Sequence, residues 1–214
     1  MPPLHDWKAS FQIYKNPKVL AMLFLGFSAG LPILLVFGTL SAWLNSEGVD
    51  KTTIGFVSWV ALAYGLKFLW SPLVDRLPLP LVTRALGQRR SWMLLAQVGV
   101  ITGLTALSLF DPKISLASIV AFAVLTAFSS ATQDITIDAW RIEAIDDEYQ
   151  GAMAGTYQLG YRIGMILAGS MAFVIADYYS WSIAYLSMAC FMSVGFISSL
   201  IISVPVQTLG ERGG

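Results

Sequence analysis

The sequence predicts an all-α membrane protein with six transmembrane helices. Three observations lead there: a shortage of charge, six apolar stretches of bilayer length, and a one-sided distribution of Lys and Arg. Only 12% of the 214 residues are charged and 56% are apolar, and the mean hydropathy is +0.68. A soluble domain of this size carries about 25% charged residues. A chain so poor in charge cannot cover its surface with polar groups in water, and lipid removes that need. Formal net charge is zero, from thirteen basic and thirteen acidic side chains. That balance excludes a nucleic-acid binder, which needs a surplus of Lys and Arg to neutralise phosphates.

The apolar stretches follow one another in order. Span 1 covers Val19 to Leu44, span 2 Thr53 to Val74, and span 3 Trp92 to Phe110. Span 4 covers Ile114 to Ala139, span 5 Gly151 to Ala176, and span 6 Trp181 to Val204. Each is near or above the roughly 20 residues that cross about 30 Å of hydrocarbon. Backbone N–H and C=O groups find no water there, so a helix must satisfy them internally. Runs such as Val19 to Leu25 are apolar on every face, which excludes the alternation of a barrel strand. Span 1 is too long for the apolar region of a signal peptide.

Lys and Arg set the orientation. With the amino terminus inside, Lys8, Lys15, Lys18, Arg76, Arg84, Arg89, Arg90, Arg141 and Arg212 face the cytoplasm. Lys51 and Lys113 face outward. The bias matches the positive-inside rule, and Trp43, Trp70, Trp92, Trp140 and Trp181 near the span ends suit an aromatic belt. Both termini are then cytoplasmic. Residues 1–18 read as an amino-terminal tail and 19–205 as the six-helix domain. Residues 206–214 read as a second tail, with the look of a loop cut short.

Charges inside hydrocarbon are expensive and mark function by default. Lys67, Asp134, Asp138 and Arg162 are such residues. Arg162 lies eleven residues into span 5, or about 16 Å at 1.5 Å per residue, close to the midplane. It stays charged at any relevant pH, so it needs a carboxylate, an anionic ligand or a wet cavity. Asp134 and Asp138 are four apart and share a helix face, with Gln133 on a neighbouring one. Asp134 serves either as a proton-loading site or as the partner of Lys67 or Arg162 in a permanent ion pair. Lys67 alternatively snorkels as a structural anchor. For Asp138, nearer the cytoplasm, the structural role is favoured. Gly160, Gly164 and Ala168 form a small-residue ladder that lets another helix approach. Gly26, Gly30, Pro32 and Gly38 are placed to bend or open span 1.

No catalytic constellation is present. His5 and Cys190 each stand alone, so neither a His-based metal site nor a disulfide framework can be built. No GxxxxGK[ST] loop occurs to bind ATP. The expected protein is not an enzyme and carries no metal or cofactor.

Three segments carry a family resemblance. They are GFSAGLP at 26–32 with GTLSAW at 38–43, KFLWSPLVDR at 67–76 with GQRR at 87–90, and SATQDITIDAW at 130–140 with GYRIG at 160–164. Together they resemble the AmpG muropeptide permease family of the major facilitator superfamily, over about Phe24 to Val204. The eukaryotic acetyl-CoA transporters carry a related Gln-Asp pattern. The resemblance implies proton-coupled import of anhydro-muropeptides across the inner membrane of a Gram-negative bacterium, in cell-wall recycling. It implies one half of a major facilitator fold, built as a 3+3 inverted repeat. The partners implied are lipid, the muropeptide, a proton, and a second six-helix half, either a separate chain or a second copy. The small-residue face of span 5 is the expected contact with that half. Asp134, Arg162, Lys67 and Asp138 become a transport charge network, and Gln133 and Tyr161 candidates for bonding the sugar. Asp75, Arg76, Arg89 and Arg90 resemble the cytoplasmic latch of facilitators. The match departs from the family pattern at Ser71, where Gly is usual, and in the ten residues between Arg76 and Gly87. The alternatives are a carrier of an acyl-CoA-like or peptide solute and a non-transporting membrane scaffold.

Overall fold

The computed structural model describes residues 12–80 and 82–202. His5, Lys8, Val204, Arg212, most of the amino-terminal tail and all of 206–214 lie outside the described residues. Within them every regular element is a helix. We number the long helices α1 (Pro17–Ser46), α2 (Lys51–Gly65 and Lys67–Arg76), α3 (Gln88–Leu109), α4 (Leu116–Ala144), α5 (Asp147–Tyr178) and α6 (Trp181–Ile201). Five are long and apolar enough to cross a membrane. The two pieces of α2 meet at a 42° bend and form the sixth span when taken as one. A short helix, Val82–Leu86, lies between α2 and α3.

Polar side chains start these helices. Asn16 Oδ1 accepts from the Lys18 N–H at 2.9 Å, with Pro17 in the first turn. Asp50 accepts from the Thr53 N–H at 2.9 Å, and Ser180 Oγ from the Ile183 N–H at 3.2 Å. Each satisfies a donor that the first turn leaves open. Gly48 (φ 82°) and Gly87 (φ 79°) take left-handed backbone at the turns before α2 and α3, where a side chain is disfavoured.

Helix α1 is the centre of the bundle. It lies against α5 and α6, while α3 lies against α4 and α6, and α2 against α4. The α1–α5 contact is backbone on backbone. A Cβ on Gly26 would run into the Tyr157 carbonyl, and one on Gly30 into that of Tyr161. In return, a Cβ on Gly160 would strike the Leu23 carbonyl, and one on Gly164 that of Phe27. This corrects two expectations. The ladder of Gly160, Gly164 and Ala168 is buried against α1 within this chain, so it is not the surface that meets a second half. Gly26 and Gly30 do not open α1; they seat it.

Regularity breaks instead one turn later, at paired π-turns. Leu35–Thr39 interrupts α1 and Leu167–Met171 interrupts α5. A π-turn displaces carbonyls from their helical partners, and side chains from neighbouring helices cover them. Tyr185 Oη donates to the Leu35 carbonyl at 2.7 Å. Thr39 Oγ1 donates to the Ala168 carbonyl at 3.2 Å. Trp43 and Trp140 are core residues, 3% and 0% exposed, rather than members of a belt. Trp43 packs on Tyr185 at 5.1 Å and stacks on Trp181 at 6.3 Å.

The two ends of the bundle differ in charge, as the Lys and Arg count requires. One end holds Arg89, Arg90 and Arg141, with Lys18 Nζ donating to the Ala144 carbonyl at the end of α4. At the other, Lys113 pairs with Glu47 at 2.9 Å.

Candidate functional site

The bend in α2 places Lys67. The helix is already loose at Ser58–Ala61, which is 3-10, and breaks at Leu66, after which Lys67–Leu69 form another 3-10 turn. Trp70 holds the lower piece to α4: its Nε1 donates to Thr132 Oγ1 at 3.1 Å and its ring lies 4.7 Å from that of Phe128. Lys67 Nζ then reaches Asp134 Oδ2 at 3.9 Å. The Lys67 side chain is 38% exposed and that of Asp134 only 13%. Tyr157 of α5 donates its hydroxyl to Asp134 Oδ1 at 3.5 Å, and the Tyr157 and Tyr161 rings pack 5.9 Å apart.

These groups form the wall of a cavity of about 420 Å³. Helix α2 contributes Lys67, and α4 contributes Asp134 and Asp138. Helix α5 contributes Tyr157, Gln158, Tyr161, Arg162 and Met165, and α1 only Ile33. Gln158 and Arg162 are exposed and one turn apart. Arg162 forms no ion pair with any described carboxylate. Asp138 pairs with Arg141 on its own helix at 3.7 Å. Polar groups of both signs therefore converge on a concave surface inside a span-length bundle, which suits a polar or ionic solute.

Gln133 takes a different position from the one expected of it. It is fully buried on a neighbouring side of α4 and donates to Ser28 Oγ of α1 at 3.3 Å. The amide of Gln97 on α3, also fully buried, and Ser28 Oγ both lie against Gly195 of α6. Gln133 therefore belongs to the junction of four helices and does not line the cavity.

At the basic end, Arg89 of α3 bridges two acids. Its guanidinium binds Asp75 at the end of α2 and lies 2.7 Å from Glu143 of α4. Arg76 and Arg90, expected in the same latch, take other positions. Arg90 Nε donates to the Ser199 carbonyl at 2.7 Å and its Nη2 to the Leu200 carbonyl, covering the last turn of α6. Arg76 is exposed and makes no ion pair among the described residues. Gln88 Nε2 adds bonds to the carbonyls of Val74 (3.0 Å) and Leu77 (2.7 Å).

A profile of the Major Facilitator Superfamily matches residues 21–212, which is nearly the whole chain. The chain belongs to the major facilitator superfamily. Its multi-pass helices form one half of a major facilitator fold. The chain is 40% identical to an anhydromuropeptide permease of Escherichia coli (strain K12) over 199 residues, covering 92% of this chain and 40% of that protein. It is 35% identical to a putative transporter AmpG 4 of Rickettsia felis over 188 residues, covering 87% and 45%. An uncharacterized protein of Haemophilus influenzae is 39% identical over 194 residues, covering 91% and 44%. The chain thus spans less than half the length of these relatives. Those with a functional name are described as permeases or transporters.

Among facilitator residues that sequence reasoning missed, Glu143 carried a readable signal. It is an acid one turn beyond Ala139 at the basic end, and it pairs with Arg89 beside Asp75. Tyr157 and Gln158 precede Tyr161 and Arg162 by one turn, so helical spacing alone places them on the same wall. Ile33 and Met165 gave no signal, because an apolar residue in an apolar span looks like any other.

Proposed function

We propose that this chain is the amino-terminal half of a proton-coupled importer of anhydro-muropeptides. It works in a bacterial inner membrane with both termini in the cytoplasm and feeds cell-wall recycling. One observation carries the reading. The cavity holds a cation, Arg162, with no carboxylate paired to it among the described residues, beside a Lys67–Asp134 pair that is long at 3.9 Å. A permanent internal ion pair for Arg162 would have favoured a scaffold; its freedom favours a carrier. Arg162 then meets an acidic group of the solute, and Gln158 and Tyr161 offer hydrogen bonds to sugar hydroxyls. Asp134 exchanges its proton as Lys67 moves nearer or farther. The chain needs a second six-helix half to close the path, and it catalyses no covalent step. The similarity to named muropeptide permeases supports the choice of solute over acyl-CoA-like molecules or other peptides.

The test is uptake of labelled anhydro-muropeptide by membranes containing both halves. Arg162→Gln is expected to raise the half-saturating concentration by about tenfold or more, the size of one lost charge-assisted contact. Arg162→Lys recovers part of it. Uptake unchanged in Arg162→Gln at equal protein level would sink the assignment.

A further inference from the structure

The ten residues between Arg76 and Gly87 are the place where the latch segment departs from the facilitator pattern, and nothing in the cavity explains them. Pro78 and Pro80 stop α2, and the short helix Val82–Leu86 follows. The segment is pinned in place. Gln88 holds the carbonyls of Val74 and Leu77, Trp92 Nε1 donates to the Leu77 carbonyl at 2.8 Å, and the Leu79 N–H donates to Thr83 Oγ1 at 2.8 Å. It therefore stays beside the ends of α2 and α3, at the basic end of the bundle. Yet its outer surface is apolar: Leu77 is 47% exposed and Val82 is 42% exposed. Arg76 and Arg84 stand at either end of this surface, both exposed and neither in an ion pair among the described residues. The nearby acids Asp75 and Glu143 are already engaged by Arg89.

Apolar side chains flanked by unpaired arginines suit the interface between headgroups and acyl chains. We propose that the α2–α3 connection lies in the cytoplasmic bilayer interface and binds anionic phospholipid, with Arg76 and Arg84 on headgroup phosphates and Leu77 and Val82 among the acyl chains. Each guanidinium offers a planar fork of donors that matches a phosphate. The bound lipid covers apolar surface that the latch alone leaves open, and ties the α2–α3 junction to the membrane. The proposal rests on the cytoplasmic orientation proposed above but not on the identity of the solute.

The test uses the full protein in nanodiscs of phosphatidylcholine with or without phosphatidylglycerol. One arm carries a nitroxide on Val82→Cys in a Cys190→Ser background. The label should be reached by oxygen and shielded from a water-soluble nickel chelate. The other arm needs no label: native mass spectrometry should find phosphatidylglycerol retained over phosphatidylcholine. That preference should fall about fivefold for each of Arg76→Gln and Arg84→Gln. A label open to the nickel chelate overturns the proposal. So does a label screened from both reagents by protein, or an unchanged lipid preference in the double arginine variant.

Discussion

Replacing Asp134 by Asn is expected to abolish proton-driven accumulation of anhydro-muropeptide, by more than about tenfold, with the protein still present in the membrane. The acid is the more deeply placed member of the pair with Lys67, held on its other side by the Tyr157 hydroxyl. Asparagine keeps the shape and the hydrogen bond but removes the charge and the exchangeable proton. It also leaves Lys67, 38% exposed on the cavity wall, without its anion, a modest cost because water reaches the ammonium group. The two consequences separate in the double variant Lys67→Gln with Asp134→Asn. That protein carries no lysine charge facing position 134 and should keep its membrane level and stability. It should still fail to accumulate solute against a gradient, because the acid that exchanges the proton at position 134 is gone. Substrate counterflow, which needs binding but no net proton movement, should persist. Full proton-driven accumulation in the double variant would make the pair a structural tie between α2 and α4 and nothing more.

A second large effect is expected from the smallest possible change at the α1–α5 crossing. Gly160→Ala adds one methyl group, which would collide with the Leu23 carbonyl and approach the Phe27 amide to 2.9 Å. Both neighbours are backbone and cannot rotate away. The helices must separate along the contact that holds α1 in place. In lipid, helices associate through close packing and not through the hydrophobic effect, so lost proximity is not recovered elsewhere. Overpacking of this kind costs about 3 kcal/mol, a large fraction of the stability of a domain. Thermal unfolding in detergent should show a fall of several degrees for Gly160→Ala and no folded species for Gly160→Leu. Gly155→Ala is the control: a Cβ there meets nothing within 4 Å. Equal melting of all three would remove the close crossing from the account.

The spans were legible because twenty apolar residues in a row have few other fates, and their ends fall within a few residues of where hydropathy places them. The charge network was legible in part for the same reason: a charge in hydrocarbon stands out. What remained hidden depends on which helix lies next to which. Gly160 and Gly164 signal a close approach but do not name the partner, and α1 takes it with Gly26 and Gly30. Gln133 and Asp134 are adjacent in sequence and point about 100° apart, and only the position of Ser28 decides that Gln133 is the interior one. Trp43 and Trp140 sit near span ends, where a lipid belt and an inter-helix core carry the same residue. The π-turns at Leu35–Thr39 and Leu167–Met171 are matched by side chains on other helices, Tyr185 and Thr39, whose hydroxyls donate to the displaced carbonyls. The joint in α2 has a comparable origin. Neither a proline nor a polar run marks Leu66, and the lower piece is turned by Trp70 docking on Thr132 and Phe128.

Chemical labelling of the cavity wall tests the account most directly. Gln158 is exposed on the same face of α5 as Arg162 and one turn away. In the assembled transporter with Cys190→Ser, a cysteine introduced by Gln158→Cys should react with a water-soluble methanethiosulfonate. Anhydro-muropeptide should slow that reaction severalfold, and the slowing should disappear when Arg162→Gln is added. A cysteine at position 158 that never reacts from water, or that reacts at the same rate with and without the muropeptide, would contradict a solute-binding cavity at this wall.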